Sequence, residues 1–372
     1  MTNLLPAAPP DFYHLTAPPA WQQIDFISDL HLHESEPANF EAWQCYMDGT
    51  TADAVFILGD LFEVWPGDDV LHTVRMFSSP NLQQNSAVTQ VNPAQAAIDS
   101  VAIDSVAIDL VAIDSVAIGS AAIHPADGSY GTTPARCFED RCASVLAQAA
   151  RRRPVFFMHG NRDFLLGDAA LKACGIQGLP DPTVLDFAGV RTLLSHGDAL
   201  CLADTDYQVF RQQVRSSAWQ TAFLARPLAQ RQHIARELRT QSEARKQLGG
   251  PWIDLDPAAT AQWVHAAGAQ HMVHGHTHEG VDHFLQMGDD NSAGHRKDNF
   301  ADRPVDRHVD RPVDRPLSAA QDTSQSSGIR HVLCDWHADA QPPRAQVLRM
   351  RGVAGSSPSQ LDVQRLPVIA AC

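Results

Sequence analysis

The chain has 372 residues and a formal net charge of −15, from 28 Lys and Arg against 43 Asp and Glu. An acid excess of that size excludes a general nucleic-acid binder, because such binding runs on basic surface. Hydrophobic content of 44% fits a globular protein, and no uninterrupted apolar run approaches the ~18 residues of a membrane span.

In chain order, residues 1–20 are rich in Pro and Ala and are expected to form a loose lead-in. No Lys or Arg precedes Arg75, so the start lacks the basic character of a signal or transit peptide. A strand at Ile24-Asp25-Phe26-Ile27 leads into Asp29-Leu30-His31. A second, Ala54 to Leu58, leads into Gly59-Asp60. Residues 78–136 form a low-complexity insertion in which 97–123 repeats the unit Ala-Ile-Asp-Ser-Val. A period of five matches neither the helical repeat of 3.6 nor the strand repeat of two, so poor order is expected there.

A helix is predicted around 138–150, then a strand at Val155 to Met158 running into Gly160-Asn161-Arg162-Asp163. Thr192-Leu193-Leu194 leads into His196-Gly197-Asp198. After a helical segment at about 205–250 and a helix at 257–267, His271-Met272-Val273 leads into Gly275-His276-Thr277-His278. Residues 288–327 contain an Asp-Arg-Pro-Val repeat of balanced charge, expected to be disordered. Closing strands are predicted at 329–333, 345–349 and 361–363. Without the insertions, 21–77 and 137–372 make one α/β domain with ligands gathered at the carboxyl ends of strands. The seven cysteines include no CxxC pair, which points to free thiols in a reducing, cytoplasmic setting.

Five polar blocks thus each follow an apolar run. Asp29 and His31 stand at i and i+2, as do His276 and His278, so each pair points to one side of an extended strand end. Asp60 has two oxygens with which to bridge cations, Asn161 offers an amide oxygen, and His196 a nitrogen. Nitrogen and oxygen donors without thiolate suit a pair of borderline-to-hard divalent metals. Such a pair lowers the pKa of a shared water and supplies a nucleophile for phosphorus.

In this order the blocks resemble the calcineurin-like metallophosphoesterases, whose pattern is DxH, GDxxE/D, GNH/R-E/D, a His-Gly pair and GHxH. The resemblance covers 24–60 and 155–278. It implies an α/β (α+β) four-layer αββα sandwich with a helical cap insertion. It assigns Asp29, His31, Asp60 and His278 to one metal, and Asp60, Asn161, His196 and His276 to the other. Arg162 stands where many members carry a His able to serve an ester leaving group. A guanidinium is no general acid but clamps phosphate bidentately, which favours cleavage of an anhydride. Asp163 and Asp198 are expected to orient ligating imidazoles or Arg162.

The strings Ile57 to Trp65 with Gly67-Asp68-Asp69, His159 to Gly167, Ser195 to Cys201, and Asp204-Thr205-Asp206-Tyr207 with Phe210-Arg211 are similar to a narrower family. These are the UDP-2,3-diacylglucosamine pyrophosphatases of lipid A biosynthesis. The resemblance implies two divalent ions, Mn²⁺, and hydrolysis of UDP-2,3-diacylglucosamine to UMP and 2,3-diacylglucosamine 1-phosphate. Catalytic roles fall to Asp60, Asn161, Arg162 and His196, and substrate contacts to Asn161, Arg162, Asp204, Ser242, Lys246 and His276. Residues 207–246 carry eight basic and two acidic side chains, with Phe210, Trp219, Phe223, Leu224 and Leu228. A basic, apolar cap on an acidic protein suits an anionic lipid and a peripheral place on the cytoplasmic face of the inner membrane. A hydrolase of soluble dinucleotides and a non-catalytic scaffold are the alternatives.

Overall fold

The computed structural model describes residues 9–72, 137–247, 253–286, 327–353, 355 and 360–368. The insertion expected at 78–136, and all but the last residue of that expected at 288–327, lie outside the described residues. In order come β1 (Tyr13–Thr16), β2 (Gln23–Ile27), α1 (Pro37–Gly49), β3 (Ala54–Leu58), α2 (Phe138–Ala150), β4 (Val155–Met158) and α3 (Asp168–Cys174). Then follow β5 (Gln177–Leu179), β6 (Thr183–Phe187), β7 (Val190–Ser195), α4 (Thr205–Val214), α5 (Ser217–Leu224) and α6 (Leu228–Gln247). The last are α7 (Pro257–Ala266), β8 (His271–His274), β9 (Asp282–Gln286), β10 (Ser327–Val332), β11 (Gln346–Gly352) and β12 (Leu361–Pro367).

The strands make two six-stranded sheets, ordered β12-β11-β2-β3-β4-β5 and β1-β6-β7-β8-β10-β9. β2, β3, β4 and β5 run parallel, as do β7, β8 and β10. Alternation along β3 explains how the sheets stack. Ala54, Phe56 and Leu58 turn inward to meet Leu185, Leu194 and Val273 of the other sheet. Val55 and Ile57 turn outward beneath Trp43 of α1 and Leu146 of α2. On the opposite surface Leu193 and Met272 pack under Trp263 and Val264 of α7. Three apolar layers therefore separate four layers of structure, the αββα sandwich. One register row runs Phe26, Phe56, Phe156, and these rings stack at 5.2 and 4.8 Å. Such pairs add about 0.5–1.5 kcal/mol each beyond the area they bury.

Helix starts follow local chemistry. α7 opens on Pro257, and the Asp256 side chain accepts from the Ala259 N–H at 2.8 Å, capping an otherwise orphaned donor. β1, β5, β6 and β9 are not among the predicted strands. Tyr13–Thr16 is not loose lead-in but an edge strand paired with β6. β6 and β7 form a hairpin with Phe187 opposite Val190, and Ala188 and Gly189 between them sit at φ 51° and 78°. A two-residue turn with both angles positive matches the twist of the flanking strands. Cys45 is disulfide-bonded, which corrects the expectation of free thiols throughout; Cys137, Cys142, Cys174, Cys201 and Cys334 are free.

A buried ion pair ties the central strand to its neighbour. Asp25 on β2 is fully buried and faces Arg349 on β11. The guanidinium grips it bidentately at 2.7 and 2.8 Å, and Tyr46 and Thr50 donate to the same carboxylate. Asp25→Ala leaves the Arg349 cation buried and unpaired. The expected loss is about 3–5 kcal/mol in urea unfolding. A loss below about 1 kcal/mol would show that water reaches Arg349 freely.

Candidate metal centre

β2, β3 and β4 end side by side in one sheet, and β7 and β8 do so in the other. The five polar blocks are the loops that leave these ends. They meet at one edge of the sandwich because the inter-sheet core brings the two parallel runs together. The backbone there is unusual. Asp29, His31, Asp60, His276 and His278 have φ of 54°, 49°, 51°, 67° and 60°. Among the described residues the one other non-glycine at positive φ is Ala188 in the hairpin turn. Left-handed backbone at a side-chain-bearing residue costs about 1–3 kcal/mol and persists where surroundings over-determine it. Here it aims five side chains at one point.

Two glycines permit the approach. A Cβ on Gly160 would overlap the Asp60 carboxylate, and one on Gly275 would overlap Ser28 Oγ and the Asp29 carboxylate. His196 is buried, its Nδ1 2.9 Å from the Leu58 carbonyl and its Nε2 3.0 Å from Asn161 Oδ1. His276 Nδ1 lies 3.0 Å from the same Asn161 oxygen. His278 Nε2 lies 3.1 Å from Asp29 Oδ1, and Asp60 Oδ1 lies 3.7 Å from His196 Nε2. His31 Nδ1 lies 3.1 Å from Glu63 Oε2 but makes no directed hydrogen bond.

Two triads bring one donor atom from each member within 4.8 Å of the others: Asp29, His31, His278 and Asp29, Asp60, His196. Carboxylate and imidazole donors without thiolate fit divalent cations of the borderline-to-hard kind. The carboxylate common to both triads is that of Asp29, whereas the family pattern gives the shared place to Asp60. An open cavity of about 340 Å³, lined by Thr277, His278, Glu279, Asp335 and Arg344, adjoins His278.

The electrostatics are those of a crowded anionic pocket. Burial opposes ionisation of Asp29, yet His278, His196 and His31 hold its carboxyl well below the usual carboxylate range. Burial also opposes the His196 cation, but Asp60, Asp29 and Asp198 raise that imidazole to about 9. Asp29 and Asp335 likewise overcome burial to raise His278 to about 10. For His276, burial and the neighbouring His196 prevail and push it down to about 4. Burial, then the charge of Asp60, lifts Asp163 to about 7.

Arg162 bonds Asp60 through its backbone N–H at 2.9 Å, and its guanidinium reaches Glu63 Oε1 at 3.2 Å. Glu63 thus stands between His31 and Arg162, a role the sequence reading did not assign, although it closes the Gly-Asp-x-x-Glu string. Asp163 does not orient an imidazole or Arg162. It accepts from the Leu61 and Gly160 N–H groups at 2.8 Å each, pinning the β3 and β4 loops together. Asp198 does not orient an imidazole either; its bonds go to Tyr207 and Arg211.

The cap is α4, α5 and α6. Phe223 and Ile234 are buried in the outer core cluster, with Trp219 and Leu228 packed against it, and Trp219 stacks on Phe223 and meets Phe164. Its charge is partly turned inward. Arg211 bonds Asp198 at 2.8 Å, and Arg215 bonds the Gly160 carbonyl at 2.8 Å. Arg231 is buried against the Pro66 carbonyl and Asp69. Asp204 caps α4, accepting from the Tyr207 N–H at 3.1 Å. Ser242 and Lys246 lie on α6, and their side chains fall outside the described residues.

No family model matches the chain. It is 34% identical over 261 residues to a UDP-2,3-diacylglucosamine hydrolase of Aromatoleum aromaticum, covering 69% of this chain and 81% of that protein. It is 34% identical over 273 residues to a UDP-2,3-diacylglucosamine hydrolase of Xanthomonas axonopodis pv. citri, covering 71% and 85%. Among solved structures, an archaeal phosphodiesterase aligns at a TM-score of 0.33 and 8% identity, over 92% of this chain and 99% of that one.

Proposed function

The chain belongs to the UDP-2,3-diacylglucosamine hydrolase family, and from this we propose that it cleaves the pyrophosphate bond of UDP-2,3-diacylglucosamine with water. The products are UMP and 2,3-diacylglucosamine 1-phosphate. The observation that carries the reading is the strand-end cluster with Arg162 held beside it by Glu63. In this reading two divalent ions, Mn²⁺, are held by Asp29, His31, Asp60 and His278 and by Asp60, Asn161, His196 and His276. Bound there, they would supply Lewis acidity and a nucleophile available at neutral pH.

The chain's own groups do the rest. Asp60 brings its negative charge to the triad with Asp29 and His196, from where it would face both ions. Asn161 and His276 face the same point, and Arg162 offers a planar, bidentate donor for a phosphate oxygen. The cap residues Asp204, Ser242 and Lys246 are assigned to substrate contact. Apart from its start, which β1 carries back ahead of Tyr13, the domain division at 77 and 137–372 belongs to the same reading, with 78–136 and 288–327 as insertions. No described helix is long and apolar enough to cross a membrane. Peripheral placement on the cytoplasmic face of the inner membrane belongs to the same reading, with the cap, where Val209 and Leu224 are exposed, as the side turned to the lipid.

The test uses purified full-length protein, Mn²⁺ and detergent-dispersed UDP-2,3-diacylglucosamine. UMP release is expected, and in ¹⁸O-labelled water the label should enter UMP, since this reading, following the family resemblance, puts the attack of water at the uridine-side phosphorus. No UMP from the lipid, with turnover of soluble dinucleoside polyphosphates instead, would overturn the reading.

A further inference from the structure

Asp198 sits two residues after His196, fully buried. Its Oδ2 accepts from the Tyr207 hydroxyl at 2.5 Å and from Arg211 Nε at 2.8 Å, with Arg215 Nη2 at 3.5 Å. Tyr207 and Arg211 on α4 and Arg215 at its C-cap stand four residues apart, so they form one stripe along that helix. The stripe touches more than one loop of the centre. The Tyr207 ring lies 6.0 Å from that of His276 at 28°. Arg215 donates to the carbonyl of Gly160, the residue before Asn161. Three cap side chains therefore reach the loops that carry His196, Asn161 and His276.

A short surface ion pair contributes little, but a pair whose carboxylate is wholly buried is costly to break. The lipid of the proposed reaction must engage the cap and the strand-end loops together. A small displacement between them is costly, since misplacing a reacting group by about 1 Å can lose 10²-fold in rate.

We propose that Asp198, through Arg211 and Tyr207, is a positioning latch that sets the cap against the ligand-bearing loops, so that a substrate spanning both is held in register. The inference rests on the proposed function for its substrate, and on geometry alone for the latch.

The test has two readouts on full-length protein. The first is amide exchange. Arg211→Met should speed exchange across 205–224 while leaving 257–266 unchanged, and Arg211→Lys should restore most of the protection. The second is turnover with Mn²⁺. Arg211→Met should lower kcat/KM for UDP-2,3-diacylglucosamine by about 10- to 100-fold. Turnover of bis(p-nitrophenyl) phosphate, which has no acyl chains to be held along the cap, should change by less than about threefold on the same reasoning. Should Arg211→Met fold poorly, the double variant Asp198→Asn with Arg211→Met removes both charges and is expected to show the same split. Unchanged exchange across 205–224, or an equal fall for both substrates, would overturn the latch. Failure of the wild-type protein to act on the lipid would overturn the function instead, and the exchange result would still decide the latch.

Discussion

Asp60→Asn is expected to lower kcat/KM for UDP-2,3-diacylglucosamine by about 10³-fold or more. A metal-stabilised transition state draws several kcal/mol from the cluster, and each 1.36 kcal/mol is tenfold in rate. Asp60 is buried, its Oδ1 accepts the Arg162 N–H at 2.9 Å, and it lies 3.7 Å from His196 Nε2. Asparagine keeps the volume and removes the charge that is proposed to face both ions. The loss should therefore appear in activity and in the stoichiometry of Mn²⁺ binding by calorimetry, not in the circular dichroism of the fold. Asp29→Asn sharpens the test, because Asp29 is the carboxylate common to both tight triads. If Asp60 does the bridging, both ion equivalents weaken in Asp60→Asn. If Asp60→Asn stays within tenfold of wild type, while Asp29→Asn loses both equivalents, the bridge belongs to Asp29.

What could be read from the residues, and what could not, follows from the range of each interaction. Buried strands ending in glycine and polar residues were legible because apolar runs and turn chemistry are local. The gathering of Asp29, Asp60, Asn161, His196 and His276 at one edge was expected from the parallel order. The positive φ of Asp29, His31, Asp60, His276 and His278 was not legible. Nothing local asks a histidine to enter that region; the packing of two sheets imposes it. Asp163 and Asp198 show the same limit. Their neighbourhood suggested imidazole partners, but in space Asp163 meets backbone N–H groups and Asp198 meets the cap. The cap's basic residues gave its net charge and not its direction, and Arg211, Arg215 and Arg231 turned inward. The Ala188-Gly189 turn carried a usable hairpin signal between apolar runs, whereas β1 is an edge strand whose order comes from pairing with β6.

Arg162→Ala is expected to lower kcat by about 10²- to 10³-fold, the usual cost of removing one preorganised donor from a site of developing negative charge. The side chain is tethered at 3.2 Å to Glu63, which also neighbours His31 at 3.1 Å. Its position is thus fixed to the cluster before substrate arrives. Mn²⁺ affinity should stay within about threefold, because the Arg162 side chain is not among the proposed ligands. Arg162→Lys should recover no more than about tenfold, since an ammonium lacks the planar fork that meets two phosphate oxygens. The distribution between kcat and KM decides the role. A rise in KM alone would mean that Arg162 grips substrate and transition state equally and adds nothing to the chemical step. A fall in kcat with little change in KM places its contact in the transition state. Arg162→His separates the leaving-group argument from the charge argument. An imidazole can hand a proton to a departing alkoxide, which a guanidinium does not. That variant should therefore lose rate on the pyrophosphate and gain, relative to it, on a diester with an alkyl leaving group. Equal losses on both substrates would show that the cluster, and not the residue beside Asn161, selects an anhydride.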